Sequence, residues 1–118
     1  MNPSEVVDFV MQLQDEVSNG GFHQFFNNSS GNNTVDTIQA LEAIGATVVA
    51  DILRRAASKF PNNTPPRDRR QRLDVLWANF PRTDEFRDLD TEFFAYPEDL
   101  SGLIAAYKHR FPDSFPGE

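Results

Sequence analysis

The length, composition and charge of the chain exclude several classes of protein before any motif is considered. Its 118 residues, 39% hydrophobic and 25% charged, are enough for one globular domain, residues 1–118, and leave no room for a second. The absence of cysteine excludes disulfides and thiolate chemistry, and the absence of a basic leader or a long apolar run leads us to expect a cytoplasmic protein with a net charge of -7 and no membrane contact.

A first amphipathic helix is predicted to run from Pro3 to near Ser18. Asn2 is placed to cap this helix, and Glu5 three residues later completes the pattern of a capping box. Apolar residues follow at helical spacing: Val6, Val10, Leu13 and Val17. The segment 19–21, Asn-Gly-Gly, tolerates the left-handed backbone that stops a helix, so a tight corner is predicted before the next phenylalanines.

Two further helices are predicted between residues 33 and 60. Asn33 is placed to cap the first, Asp36 lies in its first turn, and Gly45 marks its end or a close crossing. Its inward face is expected to contain Val35, Ile38, Leu41 and Ile44. Pro61 stops the second helix. The inward face of that helix is expected to contain Val49, Ile52, Leu53, Ala56 and Phe60.

Three more helices are predicted in the remainder of the chain. Thr64 and Pro65 are placed to open the first, and Pro81 ends it. Its inward residues are expected to be Leu73, Leu76, Trp77 and Phe80. A short helix is predicted from Phe86, Leu89 and Phe93. Pro97, with Glu98 and Asp99, is a good start for the last helix. The clearest helical period in the chain follows at Leu100, Leu103, Ile104, Tyr107 and Phe111.

No alternating strand pattern competes with these helices, so the predicted fold class is all-α. We expect a compact orthogonal bundle of about six or seven helices. Its core is expected to include Val10, Leu13, Phe22, Phe25, Leu41, Ile44, Ile52, Leu53, Leu76, Trp77, Leu103, Ile104 and Tyr107.

Acidic and basic residues are segregated along the chain. Residues 1–53 contain seven acids and no lysine or arginine, residues 54–82 contain eight bases and two acids, and residues 83–107 contain seven acids and one base. The candidate interaction surface consists of acids on the outer side of the first helix and in residues 84–92: Glu5, Asp8, Asp15, Glu16, Asp84, Glu85, Asp88, Asp90 and Glu92. Helical turns of about 5.4 Å are not far from the phosphate spacing of a nucleic-acid strand, so DNA mimicry is one interpretation and a solvated helix face is the other.

The basic run Arg67–Arg72 has no interleaved aromatic platform and lies in an acidic chain, so no direct contact with nucleic acid is expected. Arginines in the first turns of a helix oppose its dipole and need acidic neighbours. We expect those neighbours to be the segment Asp84–Glu92 or a second subunit.

No pattern of residues indicates catalysis. His23 and His109 are the only imidazoles, and neither has metal-ligand spacing. No glycine loop has the spacing of a phosphate-binding site, and the surroundings of Asp88, Asp90 and Glu92 do not resemble a calcium-binding loop. We therefore expect a non-enzymatic protein with no cofactor or metal, the alternative being an unrecognised small enzyme.

The segment Glu16–Gly31, EVSNGGFHQFFNNSSG, resembles the signature of a bacterial helical family named for its DNA-mimic member. Further blocks match the pattern of this family in order and spacing: Ala40–Ala46, Phe60–Pro61 with Pro65–Asp68, and Leu89–Phe94. The resemblance implies an acidic, DNA-like surface presented to a DNA-binding regulator, often from a dimer. The expected partner is thus another protein, with a homodimer as an open question and an immunity-type or other interaction role as the alternative.

The signature residues themselves favour a structural role over a ligand site. They are Asn19, Gly20, Gly21, Phe22, Gln24, Phe25, Phe26, Asn28, Ser29, Ser30 and Gly31. Glycine permits the turn, phenylalanine fills the core, and the amide and hydroxyl side chains are suited to bind free backbone groups.

Overall fold

The computed structural model describes residues 1–117, which form six α-helices and no strand, and this confirms the all-α class. The helices are α1 (Pro3–Asn27), α2 (Thr34–Ala43), α3 (Thr47–Ala57), α4 (Arg69–Asn79), α5 (Arg87–Phe94) and α6 (Leu100–Arg110). Short 3-10 turns occupy Ser29–Asn33, Pro61–Asn63 and Pro112–Ser114. None of the helices in residues 1–117 is both long and apolar enough to cross a membrane.

Helix α1 begins as predicted and bends where the glycines predict a corner. The Asn2 side chain accepts a hydrogen bond from the Glu5 amide at 2.9 Å, and the Glu5 carboxylate accepts one from the Asn2 amide at 3.4 Å. Past Ser18 the helical segment continues, but its backbone is non-helical at Gly20 and at Gly21, where φ is +76°. The helix therefore resumes on the far side of the corner and ends only at Asn27.

The core is rich in phenylalanine and contains most of the residues predicted for it. Five phenylalanines have almost no exposed surface: Phe22, Phe25, Phe26, Phe60 and Phe86. Their rings meet edge-on or tilted, as aromatic quadrupoles favour, with centroids 4.9 Å apart between Phe26 and Phe60. The predicted core residues that are buried are Val10, Leu13, Phe22, Phe25, Leu41, Ile44, Ile52, Leu53, Leu76, Ile104 and Tyr107.

The orientations predicted for Trp77 and Val35 were wrong, because each is 44% exposed. Helix α4 instead buries Arg72 and Leu76, and Trp77 lies about 100° further around the helix. The indole nitrogen of Trp77 donates to the Asn27 side-chain oxygen at 2.9 Å, which keeps one edge of the ring at the surface. Leu103, also predicted for the core, is only half-buried.

The predicted start of α4 was also wrong. Pro66 follows Pro65, and a residue before proline is sterically disfavoured in helical backbone, so Thr64 and Pro65 stay outside the helix. Helix α4 begins at Arg69, and the Asp68 carboxylate caps it by accepting from the Gln71 amide at 3.0 Å.

Helix α6 starts three residues after Pro97. The two carboxylates that precede it cap different helices. Asp99 accepts from the Gly102 amide at 3.0 Å and caps α6. Glu98 accepts from the Val49 amide at 2.8 Å, in the first turn of α3. Glu98 therefore attaches the segment before α6 to the start of α3.

Asn33 precedes α2 as predicted, but its side chain makes no capping bond. The hydroxyl of Thr37 donates to the Asn33 carbonyl instead, and that of Thr34 to the Gly31 carbonyl, both at 2.8 Å. Gly45 has a φ of +85° and open space around its Cβ position, so it ends α2 rather than marking a close crossing.

Candidate functional site

The corner segment (Glu16–Gly31) is held together by hydrogen bonds across its bend. Glu16 is half-buried, and one of its carboxylate oxygens accepts from the side-chain amides of Gln24, at 2.8 Å, and Asn28, at 2.9 Å. Because Glu16 lies before the glycines and both donors lie after them, these bonds join the two arms of α1. The structure thus places Glu16, a predicted surface acid, in the framework of the corner.

Asp90 supports the corner from α5. Its carboxylate accepts from the Phe22 amide at 2.8 Å, directly after the left-handed Gly21. A Cβ atom at Gly21 would lie 2.5 Å from the Asp90 carboxylate, so only glycine fits both the backbone angle and the space. Partial burial raises the pKa of Asp90 above its ordinary range.

Arg72 holds the far end of the corner segment from α4. The side chain is completely buried, and Nε donates to the Phe26 carbonyl at 2.7 Å while Nη2 donates to the Asn28 carbonyl at 2.9 Å. Nη1 donates to the carbonyls of Pro66 and Arg67 at 3.0 and 3.1 Å. Burial and the charge of Arg69 lower the pKa of Arg72, the charge of Asp68 opposes the shift, and every hydrogen bond of the guanidinium goes to a backbone carbonyl.

Other side chains of the corner segment also bind the chain itself. The Ser30 hydroxyl donates to the Phe25 carbonyl at 2.8 Å, and His23, which is buried, has its Nε2 2.9 Å from the Phe80 carbonyl. Asn19 and Ser29 are exposed and take no part in these contacts. The contacts favour the structural interpretation of the signature residues.

In the α5 acidic segment (Asp84, Glu85, Asp88, Asp90 and Glu92), three of the five carboxylates form ion pairs with neighbouring bases. Arg55 on α3 binds both carboxylate oxygens of Glu92 at 2.7 Å, and Lys59 lies 3.2 Å from Asp88. Arg82 and Arg87 pair with Asp84 at 2.8 and 3.4 Å. Glu85 is half-buried, and its carbonyl oxygen lies 3.4 Å from the Lys59 ammonium.

These ion pairs shift the protonation equilibria of the carboxylates. Hydrogen bonding to Arg82 lowers the pKa of Asp84, and hydrogen bonding to Arg55 lowers the pKa of Glu92. Partial burial raises the pKa of Asp88 and the Lys59 ammonium lowers it. The net effect is a pKa below the ordinary value. The three groups therefore stay ionised at neutral pH and remain paired.

The α1 acidic face (Glu5, Asp8 and Asp15) differs, because its carboxylates form no ion pair with the bases of the described residues. All three residues are exposed, and none of the ion pairs within residues 1–117 involves them. The Glu5 carboxylate also completes the cap at Asn2. Three of the nine predicted surface acids thus form an unpaired row on one side of α1.

The expected neutralisation of the run Arg67–Arg72 by residues 84–92 was wrong. Arg67 pairs with Asp36 on α2 at 3.1 Å, and Nε of Arg69 donates to the Asn27 carbonyl at 3.0 Å. The acids of residues 84–92 bind Arg55 and Lys59, which precede the run. The sequence contained no signal that Arg72 is the buried member of this run.

The described residues do not form a metal site, because no group of three or more histidine, cysteine, aspartate or glutamate side chains converges within residues 1–117. His23 is enclosed by the Trp77 ring, with centroids 4.8 Å apart, and by the Phe80 carbonyl. His109 lies exposed in the last turn of α6.

Comparison with known proteins identifies the family. A family model described as DMP19-like protein matches residues 2–110, which is nearly the whole chain. No curated protein and no solved structure matches the chain. Since the matched region contains all six helices and the corner segment, the chain belongs to the DMP19-like protein family.

Proposed function

We propose that this protein is a non-enzymatic binding module whose α1 acidic face occupies the DNA-binding surface of another protein. The observation that carries the proposal is that Glu5, Asp8 and Asp15 form no ion pair within residues 1–117, whereas three of the five carboxylates in the α5 acidic segment do. Unpaired, exposed carboxylates attract a cationic partner at long range, whereas paired ones present little net charge.

The geometry of the row suits a protein that normally binds a phosphate backbone. Glu5 and Asp15 are ten residues apart, or about 15 Å along the helix axis. One strand of DNA presents roughly four phosphates over this length, against three carboxylates here. The family assignment supports the same interpretation, since membership of the DMP19-like family suggests a protein of the DNA-mimic type.

The experiment is capture of partners from a lysate of the source organism with the tagged protein. We expect to recover a DNA-binding protein that is released by added DNA and by rising salt, because screening shortens electrostatic attraction to about 8 Å near physiological ionic strength. The double variant Asp8→Asn/Asp15→Asn should lose this partner. Glu5 is left unchanged because it also caps α1.

A matched control removes the same two charges elsewhere. Asp74 and Asp113 are exposed and lie on α4 and in the turn Pro112–Ser114, and no ion pair within residues 1–117 involves them. The variant Asp74→Asn/Asp113→Asn should retain the partner. Equal loss in both variants, or a partner that survives high salt and the loss of Asp8 and Asp15, would exclude the α1 acidic face. Recovery of a toxin-like enzyme would favour an immunity role instead.

A further inference from the structure

A small pocket lies where the end of α5 meets the start of α6. It has a volume of about 330 Å³, and its lining includes Val49, Phe93, Leu100, Tyr96, Glu98 and Asp99. The first three of these are buried apolar residues of α3, α5 and α6. No lysine, arginine or histidine lines this Tyr96 pocket, so its ionisable lining is entirely acidic.

Tyr96 is the most exposed large apolar residue of residues 1–117, with 72% of its surface accessible. Its backbone φ is +50°, a left-handed conformation that is uncommon for a bulky residue. No hydrogen bond or ring contact within residues 1–117 holds its side chain, whereas exposed Trp77 is bound to Asn27. The ring is thus displayed beside the pocket without contributing to the core.

The carboxylates of Glu98 and Asp99 retain binding capacity beyond their capping bonds. Each uses one oxygen to accept from a helix amide, of Val49 and of Gly102, and the second oxygen has no hydrogen bond within the described residues. The starts of α3 and α6 place about half a positive charge each nearby, against two full negative charges. The pocket therefore remains net negative and complementary to a cation.

We propose that the Tyr96 pocket binds an arginine side chain of a basic partner protein, an inference that rests on the proposed function. A guanidinium group is planar, so it can stack on the Tyr96 ring while donating to the free carboxylate oxygens. The aliphatic part of the arginine side chain matches the apolar lining. Tyrosine and arginine are both enriched among the residues that dominate binding energy in protein interfaces.

The probe is the tripeptide acetyl-Gly-Arg-Gly-amide, titrated into the isotope-labelled protein and followed by NMR. We expect saturable shifts at the amides of Tyr96, Leu100 and Ser101. The same tripeptide with citrulline in place of arginine has nearly the same shape without the charge and should produce no saturable shift. A lysine tripeptide should bind more weakly than arginine, because its ammonium cannot stack and bridge at once.

Two sets of variants test the assignment within the folded protein. Glu98→Gln with Asp99→Asn keeps an acceptor oxygen for each cap but removes both charges, and should weaken arginine binding at least about threefold. Tyr96→Asn tolerates the left-handed backbone and removes the ring, and should weaken binding about two- to fivefold. The control Asp74→Asn/Asp113→Asn removes two exposed charges outside both sites and should leave binding unchanged.

The inference is overturned if citrulline binds as well as arginine, if no saturable shift appears at Tyr96, or if the control Asp74→Asn/Asp113→Asn weakens binding as much as the pocket variant does. Because the tripeptide assay needs no partner, the two proposals fail separately. Arginine binding at the pocket without partner capture through α1 would overturn the proposed function alone. Capture through α1 without shifts at Tyr96 would overturn the pocket assignment alone.

Discussion

The α1 acidic face and the α5 acidic segment contain the same residue types, but the fold gives them different surroundings. Asp8 and Asp15 are exposed and form no ion pair within residues 1–117, whereas Asp88 and Glu92 are paired with Lys59 and Arg55. The formal charge of a segment is therefore a poor guide to the charge that it presents to a partner. Two of the bases that pair with the α5 acidic segment, Arg55 on α3 and Lys59 just after it, lie 37 and 29 residues before the acids that they bind.

The contrast between the two acidic regions does not hold at Asp90, because this acid of the α5 acidic segment supports the corner of α1. We expect the largest loss of stability when this contact is disturbed. Gly21→Val would force a β-branched residue to a φ of +76° and place its Cβ against the Asp90 carboxylate. We expect the free energy of unfolding to fall by about 3 kcal/mol, measured by urea denaturation.

Gly45→Val is the matched control for Gly21→Val. Gly45 also has a positive φ, but nothing lies within 4 Å of its Cβ position. This control should suffer the backbone strain alone and lose less stability. Equal losses at both positions would show that the contact with Asp90 contributes nothing.

The arginines also differ in burial, since Arg72 is buried and Arg55 is exposed. Arg72→Met should lower the free energy of unfolding by about 2 kcal/mol, because buried carbonyls at Phe26 and Asn28 lose their donor. Arg55→Met removes an exposed ion pair and should change the melting temperature by less than about 3 °C. A larger loss of stability for Arg55→Met than for Arg72→Met would contradict this prediction.

The sequence predicts the local elements well because their signals are local. The cap at Asn2 and the corner at Gly20–Gly21 depend on residues within one turn, and both were confirmed, whereas the predicted end of the helix near Ser18 was wrong because α1 resumes after the corner. The exposure of Trp77 and the burial of Arg72 were not predicted, because both depend on acceptors at Asn27 and Phe26, far away in sequence. For the same reason the sequence identified the surface acids but not which of them are paired.

Protonation offers a finer test of Asp90. The pKa of Asp90 is raised in the folded state, so its side chain, protonated below the ordinary value of 3.8, adds to the stability of the folded protein there. This contribution to stability is lost as pH rises through the raised value. Burial and Asp88 shift the pKa upward, while the bond from the Phe22 amide and the charges of Lys59 and His23 oppose the shift. The neighbouring acids with lowered pKa values behave oppositely and add stability as pH rises.

Asp90→Asn keeps an acceptor for the Phe22 amide and does not titrate. We expect its stability, relative to the unmodified protein, to increase as pH is raised above 3.8, as followed by urea denaturation at a series of pH values. A stability difference that stays constant across this range would show that Asp90 titrates alike in the folded and unfolded chain.

The smallest effect on stability is expected on the α1 acidic face. Asp8→Asn/Asp15→Asn should change the free energy of unfolding by no more than about 0.5 kcal/mol, because both side chains are exposed and unpaired. Thermal denaturation provides the measurement. A clear loss of stability would mean that these carboxylates have a structural role, and loss of a partner in the same variant could then not be ascribed to charge.

The hydrogen bonds of Arg72 also determine which changes the corner tolerates. All four of its acceptors are main-chain carbonyls, of Phe26, Asn28, Pro66 and Arg67, and every amino acid supplies a carbonyl. Side-chain replacements at Asn28 or Arg67 leave these acceptors in place, whereas inserting or deleting one residue beside them displaces the acceptors themselves. The guanidinium therefore constrains the length of the two loops that meet at it more tightly than their composition.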